Sequence, residues 1–192
     1  MKCLLCERYS LTQHICTKCQ NQLLQPSLYK RDLDNGIEVL SFYKYEDIKP
    51  LLFTKHTALG FHNYKLLARL SFAKFAQEFL WSERVASIAI DDTTTNGYAH
   101  TAILNNALKS RYIHPKFAKL HANNPIKYSG KSKAFREANP RDFQLKSFSQ
   151  NEVILVDDII TTGTTLREAT TKLTQAKKEV IFCLTLTDVN NK

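Results

Sequence analysis

The sequence contains no long apolar run, no low-complexity tract and no internal repeat. A helix that crosses a membrane needs about 18 or more consecutive apolar residues, so these absences argue against an integral membrane protein. The first residues, Met1 to Cys6, also lack the apolar stretch of a secretory signal. We therefore expect a cytoplasmic protein, whose 192 residues suffice for one α/β domain with a small appendage.

Acidic residues are also scarce, since 27 lysines and arginines outnumber 18 aspartates and glutamates and leave a net charge of +9. Most of this excess lies in one basic segment, residues 109–146, with ten basic residues against two acidic ones, a net charge of +8. Aromatic residues interrupt it at Phe117, Tyr128, Phe135 and Phe143. Cations that follow phosphates and rings that stack on bases are typical of single-stranded nucleic-acid binding. The candidate nucleic-acid residues are Lys109, Arg111, Lys116, Lys119, Lys127, Tyr128 and Arg141.

Two other interpretations of the basic segment stay open. It could be a solvated loop whose aromatic rings pack on the core, or part of it could be a lid over a bound pyrophosphate. The positive charge would also be attracted by anionic lipid, so peripheral association with the inner face of the cytoplasmic membrane is a further alternative.

Four of the five cysteines form two pairs near the start of the chain. Two residues separate Cys3 from Cys6 and Cys16 from Cys19, and nine residues separate the two pairs. This spacing predicts a tetrahedral zinc site, for which His14 is a possible substitute ligand. A disulfide framework and a redox dithiol are the competing interpretations, and a reducing cytoplasm argues against the first.

The cysteine pairs also suggest how the chain is divided. We expect residues 1–35 to form a zinc-binding module that ends in a connector over residues 26–35, and residues 36–192 to form the main domain. The module has few other apolar residues, so its zinc would be structural. The fifth cysteine, Cys183, lies in an apolar run and is expected to be a buried core thiol.

Apolar runs alternate with helical patterns along the main domain. Residues 37–45 alternate between apolar and polar side chains and predict a half-exposed strand, whereas residues 66–80 have the three-to-four spacing of a helix. Val153 to Val156 form a continuous aliphatic run, typical of a parallel strand that is buried on both faces. Strands that alternate with helices pair in parallel. We therefore predict an α/β fold with a parallel sheet flanked by helices.

Two carboxylates and a threonine-rich turn follow the Val153–Val156 run. Asp157 and Asp158 can accept hydrogen bonds from sugar hydroxyls, and the backbone N–H groups of residues 161–165 can converge on a phosphate at a helix N-terminus. This combination predicts a ribose-phosphate site, while an ordinary buried strand with a capped turn is the alternative. The predicted binding residues are Asp157, Asp158, Ile160, Thr161, Thr162, Gly163, Thr164 and Thr165.

The run from Val153 to Thr165 resembles the phosphoribosyl-pyrophosphate (PRPP) binding motif of type I phosphoribosyltransferases. In that motif an apolar strand, two acidic residues and a Thr/Gly turn follow one another. The resemblance implies a type I phosphoribosyltransferase-like sheet. It also implies that Asp157 and Asp158 hold the ribose hydroxyls, that the turn holds the 5′ phosphate, and that Mg²⁺ binds together with PRPP.

With the cysteine pairs and the pattern Lys131-x-Lys133-x-x-Arg136-x-x-Asn139, nearly the whole chain is similar to the ComF family of competence proteins. This resemblance implies a protein of natural transformation that handles incoming single-stranded DNA in the cytoplasm. Its implied partners are single-stranded DNA, PRPP and other competence proteins, such as a DNA-translocating helicase.

Residues 88–100 depart from that family's pattern. Asn96 replaces an arginine, and Asp91 and Asp92 bring negative charge to the place where pyrophosphate would bind. The sequence therefore predicts PRPP binding more strongly than ribosyl transfer, and an active phosphoribosyltransferase of nucleotide salvage that uses PRPP and Mg²⁺ is the alternative. The residues expected on the catalytic or pyrophosphate side are Lys55, Asp91, Lys131, Lys133 and Arg136.

Overall fold

The computed structural model describes residues 1–11, 14–90, 94, 97–124, 135 and 138–191. Its helices are α1 (Thr17–Leu23), α2 (Tyr45–Leu52), α3 (Ala58–Leu70), α4 (Phe72–Glu78), α5 (His100–Ala107) and α6 (Thr164–Gln175). Its strands are β1 (Tyr29–Asp32), β2 (Glu38–Lys44), β3 (Val85–Ala89), β4 (Ile113–Lys116), β5 (Leu120–Ala122), β6 (Phe143–Leu145), β7 (Glu152–Ile160) and β8 (Glu179–Asp188). Within these ranges, no helix has both the length and the apolar character that crossing a bilayer requires.

Six strands form the main sheet in the order β1-β2-β8-β7-β3-β4. The strands from β2 to β4 in this order pair in parallel, and β1 joins the edge of the sheet in antiparallel orientation. Strand β7 lies inside the sheet, and Val153 to Val156 are fully buried because other elements cover both of its faces. The predicted α/β fold with a mostly parallel sheet is therefore confirmed.

Side chains of β7 alternate between two hydrophobic cores. Ile154 and Val156 pack in the core that includes α3 and α5. Val153 and Leu155 pack in the core that includes α6 and the two-stranded sheet of β5 and β6. The carboxyl end of β7 therefore emerges between two layers, and this is the position at which open α/β sheets bind ligands.

Two strands differ from their predictions. Strand β7 continues past Val156 to Ile160, because residues 157–160 keep pairing with β8. Asp157 and Asp158 consequently belong to the strand and not to the turn after it. Strand β2 is mostly buried instead of half-exposed, because it lies inside the sheet between β1 and β8.

The prediction of one continuous helix over residues 66–80 is wrong, because two helices occupy this part of the chain. Helix α3 ends at Leu70, and α4 begins at Phe72. Between them, Ser71 has φ −115° and ψ −77°, and its hydroxyl donates a 2.7 Å hydrogen bond to the Leu67 carbonyl. Serine hydroxyls that bond to a preceding carbonyl often bend helices. The apolar spacing continues across the break, so the sequence pattern did not reveal it.

The predicted connector contains a strand of the main sheet, since β1 lies within residues 26–35 and pairs with β2. Ile15 and Leu24 of the predicted zinc-binding module are buried in the same core as α3. The N-terminal segment is thus packed onto the sheet and helices that follow it. A domain division at residue 35 stays a prediction.

Candidate functional site

The four N-terminal cysteines (Cys3, Cys6, Cys16 and Cys19; the cysteine cluster) come together, with all four Sγ atoms within 4.8 Å of one another. The Sγ atoms of Cys6 and Cys16 are 3.8 Å apart. With Zn–S bonds of about 2.3 Å, a tetrahedral site separates its sulfurs by roughly 3.8 Å. The donor set and its spacing fit one ion, so the cluster could hold a metal ion such as zinc.

Backbone hydrogen bonds fold the chain around the cluster. The Cys3 N–H donates to the Arg8 carbonyl at 2.8 Å, and the Cys16 N–H donates to the Cys3 thiol at 3.3 Å. His14, the predicted substitute ligand, is not a member of the cluster. Its ring lies 5.3 Å from that of His62 on α3.

A second cluster surrounds the carboxylate of Asp158, which is only 6% exposed. Its Oδ2 atom accepts hydrogen bonds from the Lys55 ammonium at 3.2 Å and from the Tyr64 hydroxyl at 3.0 Å. The Nε2 atom of His100 lies 3.4 Å from the same oxygen. This Asp158 cluster (Lys55, Tyr64, His100 and Asp158) joins the turn after α2, helix α3, the start of α5 and strand β7.

The charges in the Asp158 cluster are complementary. Burial by itself would raise the pKa of Asp158, but Lys55 and His100, together with hydrogen bonds from Lys55 and Tyr64, lower this pKa to about 2. The Asp158 carboxylate in turn raises the pKa of Lys55. Burial, and then the charge of Asp158, raises the pKa of Tyr64. At neutral pH an ionised carboxylate therefore contacts a protonated lysine and a neutral phenol.

Asp157 has a different environment from its neighbour, because successive side chains of a strand point to opposite faces of the sheet. It is half-buried, and its Oδ1 atom accepts a 2.8 Å hydrogen bond from the Asp158 N–H. Burial and the nearby Asp158 carboxylate raise the pKa of Asp157 well above its usual range. The two carboxylates that the sequence treats as a pair are thus presented to different faces with opposite pKa shifts.

Residues 161–165, the threonine loop, connect β7 to α6. Gly163 has a left-handed backbone with φ +78°, which favours glycine, and a Cβ atom there would also have to displace the end of the Leu33 side chain, 2.7 Å away. Helix α6 starts at the next residue, and the N–H groups of a first helical turn have no partner within the helix. The hydroxyls of Thr162 and Thr164 are 3.0 Å apart beside these N–H groups. The loop thus has the backbone geometry of an anion site.

Two arginines flank the threonine loop, and the sequence reasoning missed both. Arg31 on β1 donates to the Thr161 carbonyl at 2.7 Å and forms an ion pair with Asp188 at 3.2 Å. Arg167, in the first turn of α6, donates to the Thr162 carbonyl at 3.3 Å and to the Thr164 hydroxyl at 3.2 Å. A groove of about 370 Å³ is lined by both arginines and by the start of the loop.

Tyr64 and His100 were also missed. Tyr64 lies in no recognisable motif and is 94 residues from Asp158 along the chain, and His100 ends the segment 88–100, where it was not singled out. For Arg167 a signal existed, since it follows the loop closely in sequence. Of the remaining predicted binding residues, Ile160 is buried and Thr165 is half-buried.

The structure describes some of the residues predicted on the pyrophosphate side and in the basic segment. Lys55 contacts Asp158 as given above. Lys109 and Arg111 precede β4 at the amino ends of the strands, whereas Lys116 lies at the carboxyl end of β4 and Lys119 follows it. Arg141 lies before β6, where its N–H donates to Glu168 of α6. The predictions that lie outside the described residues are Asp91, Lys127, Tyr128, Lys131, Lys133 and Arg136.

The aromatic residues of the basic segment do not share one environment. Phe143 is buried in the core beside α6, as the alternative interpretation of a core-packed ring expects. Phe117 is 45% exposed, and Phe135 is half-buried. The described cations around β4 therefore lie at both the amino and the carboxyl ends of the strands. The described rings of the segment lie partly in the core and partly at the surface.

Comparison with known proteins supports the motif found in the sequence. Residues 108–192 match the family model of the phosphoribosyl transferase domain, and this range includes β7, the threonine loop and α6. Residues 108–192 are therefore similar to a phosphoribosyltransferase domain. A comparison with curated proteins found no match.

Several solved structures are similar to this chain. A hypoxanthine phosphoribosyltransferase from Staphylococcus aureus is 18% identical, with a TM-score of 0.42, over 67% of this chain and 65% of the other. An adenine phosphoribosyltransferase is 16% identical, with a TM-score of 0.45, over 91% and 93%. An orotate phosphoribosyltransferase from Aeropyrum pernix is 17% identical, with a TM-score of 0.39, over 89% and 80%. The chain thus spans slightly less than two thirds of the hypoxanthine enzyme, and these likenesses do not extend to activity or substrate.

Proposed function

We propose that this protein binds PRPP or a related ribose phosphate at the carboxyl end of β7, and that it handles single-stranded DNA in natural transformation. The observation that carries the first part is the left-handed Gly163 immediately before α6. Glycine has no side chain to cap the helix, so the N–H groups of the first turn can point at a phosphate, and that of Thr164 makes only a long 3.5 Å contact to the Thr162 hydroxyl.

The groups around the threonine loop support this assignment. The hydroxyls of Thr162 and Thr164 can donate to phosphate oxygens, and Arg31 and Arg167 lie close by, where Arg31 also pairs with Asp188 and Arg167 with Asp34. Asp157 is the carboxylate better placed to accept a bond from a ribose hydroxyl, because Asp158 is buried under Lys55 and Tyr64. Mg²⁺ would enter with the diphosphate of PRPP.

Isothermal titration calorimetry with PRPP and Mg²⁺ tests the ribose-phosphate site. We expect Thr162→Ala and Asp157→Asn each to weaken binding about tenfold, because each removes a hydrogen bond to a charged or hydroxyl group. Thr174→Ala, at an exposed position near the other end of α6, is the matched control and should bind as the wild type does. If Thr162→Ala and Asp157→Asn both bind PRPP with the affinity of the wild type, the site is excluded.

The concentrated charge of residues 109–146 supports the DNA part of the proposal. Binding that depends on phosphate contacts weakens steeply as salt rises. We expect single-stranded DNA to bind with such a salt dependence, and the triple variant Lys131→Gln/Lys133→Gln/Arg136→Gln to bind more weakly. Unchanged affinity and an unchanged salt slope in that variant would contradict this part without affecting the ribose-phosphate site.

Ribosyl transfer is the second candidate function, and the Lys55 ammonium beside Asp158 favours it, because a cation near the strand edge can stabilise a departing diphosphate. Release of pyrophosphate on addition of PRPP, Mg²⁺ and each common nucleobase measures it directly. Lys55→Gln should abolish such release. If PRPP binds but no base causes release of pyrophosphate, the protein binds PRPP without transferring its ribose.

A further inference from the structure

Four aromatic rings lie next to one another on the surface between the cysteine cluster and the Asp158 cluster. The ring centroids are separated by 5.3 Å from His14 to His62, by 5.5 Å from His62 to Phe61 and by 5.7 Å from Phe61 to Tyr98. Neighbouring rings meet at 48°, 82° and 74°, so no two of the four are stacked face to face. We refer to His14, His62, Phe61 and Tyr98 as the ring series.

Tyr98, at the end nearest the ribose-phosphate site, is fixed by several specific contacts. Its hydroxyl donates to the carbonyl of Lys55 and to that of Thr57 at 3.1 Å. Thr57 caps α3 by accepting a hydrogen bond from the Gly60 N–H at 3.2 Å. A Cβ atom at Gly60 would overlap both the Thr54 carbonyl and the Tyr98 hydroxyl, so glycine at this position lets the ring approach. Since Lys55 also reaches Asp158, one residue links the ring series to that cluster.

The surface of α3 beside the rings is accessible and positively charged. Phe61 is 37% exposed, His62 is exposed, and His14 and Tyr98 are half-buried. The Lys65 ammonium lies 5.2 Å from the Phe61 centroid, and α3 carries two cations, Lys65 and Arg69, with no acidic residue. Exposed aromatic rings beside cations are the composition that binds nucleobases and the phosphates attached to them.

We infer that the ring series is a stacking surface for the bases of a single-stranded nucleic acid, distinct from the threonine loop and able to bind without it. The inference rests on the DNA part of the proposed function, but it uses residues other than those of the basic segment. The inference explains why exposed aromatic residues on α3 are combined with lysine and arginine. Phosphate attraction alone requires no ring.

Fluorescence anisotropy and quenching with a short oligo(dT) that contains one 2-aminopurine test this inference. An otherwise identical abasic oligonucleotide supplies the phosphates without the bases. We expect the wild type to bind the first at least tenfold more tightly and to quench its 2-aminopurine. We expect the double variant Phe61→Ala/His62→Ala to lose roughly tenfold or more in affinity, together with the quenching. Thermal unfolding of the double variant checks that it is folded. We expect it to fold, because both side chains are exposed.

Two single variants sharpen the test. Phe53→Ala removes an exposed ring that is outside the series, so it should leave binding unchanged. Phe117→Ala removes the exposed ring of the basic segment, and selective loss in this variant would assign stacking to that segment and overturn our inference. Because the inferred ligand is a single strand, equal binding of the abasic oligonucleotide, or wild-type affinity in the double variant, would overturn the inference as well.

The source of the base is distinguished by a parallel titration with free adenine and free uracil, with and without PRPP. Binding of the oligonucleotide but of neither free base supports the inference. Binding of a free base that Phe61→Ala abolishes, without base-dependent binding of the oligonucleotide, would assign the rings to a free nucleobase and overturn the inference. If no base binds in any form while PRPP still binds to the threonine loop, the stacking surface is excluded and the ribose-phosphate site is not.

Discussion

The cysteine cluster and the Asp158 cluster are built in opposite ways. The first consists of two cysteine pairs within one 17-residue segment, which local backbone hydrogen bonds hold together. The second combines a lysine, a tyrosine, a histidine and an aspartate from four separate elements. Local spacing is enough for the first, whereas the second exists only after α3 and α5 have packed on β7. The two clusters should therefore respond differently to substitution.

The largest effect is expected in the cysteine cluster. Cys19→Ser should reduce the bound metal from one ion to none and lower the free energy of unfolding by more than about 4 kcal/mol, because it would remove both a metal ligand and a buried thiol of the core. Metal released to a chromogenic chelator and urea denaturation measure the two quantities. Cys183→Ala is the control, since it removes a buried thiol outside the cluster and should destabilise the protein while keeping the metal.

Removing the charge of Asp158 should have the next largest effect. Asp158→Asn leaves the half-buried Lys55 ammonium without its carboxylate, and we expect the free energy of unfolding to fall by about 3 kcal/mol. Asp157→Asn should cost little or stabilise the fold at neutral pH, because it removes a carboxylate whose ionisation burial and Asp158 disfavour. Urea denaturation of both variants measures the contrast. Equal losses would show that the strand end, and not the Lys55 contact, sets the stability.

The pH dependence of stability tests the same contact without mutation. The pKa of Asp158 is lowered to about 2 in the folded state, so its stabilising effect is complete above the unfolded pKa of about 3.9. It is lost as the pH falls from about 4 to about 2, and amounts to about 3 kcal/mol. The difference in unfolding free energy between wild type and Asp158→Asn should shrink over this range. A constant difference would mean that ionisation of Asp158 is irrelevant.

A smaller effect is expected where the two regions meet. Arg69 on α3 donates a 3.0 Å hydrogen bond to the side chain of Gln20 on α1, beside the cysteine cluster. Arg69→Ala should lower the free energy of unfolding by about 1 kcal/mol and speed the loss of metal to a chelator. Lys74→Ala, which removes an exposed cation from α4, should change neither quantity. A metal-loss rate unaffected by Arg69→Ala would show that the two regions are energetically independent.

Much of the fold could be predicted, because it depends on patterns that are local in sequence. The aliphatic run at Val153–Val156 located the central strand, since few other elements tolerate four consecutive aliphatic side chains. Errors arose where a single hydrogen bond decides the outcome, as at Ser71, which ends α3 although the apolar spacing continues. The length of β7 was also missed, since Asp157 and Asp158 look like the start of a loop but continue the pairing with β8.

The candidate site shows the same division. Gly163 and its neighbouring threonines were identified because one short turn contains all the groups that an anion site needs. Arg31, Tyr64 and His100 were not identified, because each reaches the site from a distant element and no spacing in the sequence marks it. The ring series could not be predicted either, since His14 and Tyr98 are 84 residues apart along the chain.

The sequence by itself therefore determined the α/β class, the paired cysteines and the threonine loop, because each depends on side chains that are close together along the chain. The tertiary structure alone decided that the Asp158 carboxylate is held by Lys55 and Tyr64, while Asp157 is turned to the other face. The physical reason is that the pleat of β7 separates the two neighbours, and the packing of α3 and α5 brings partners to only one of them.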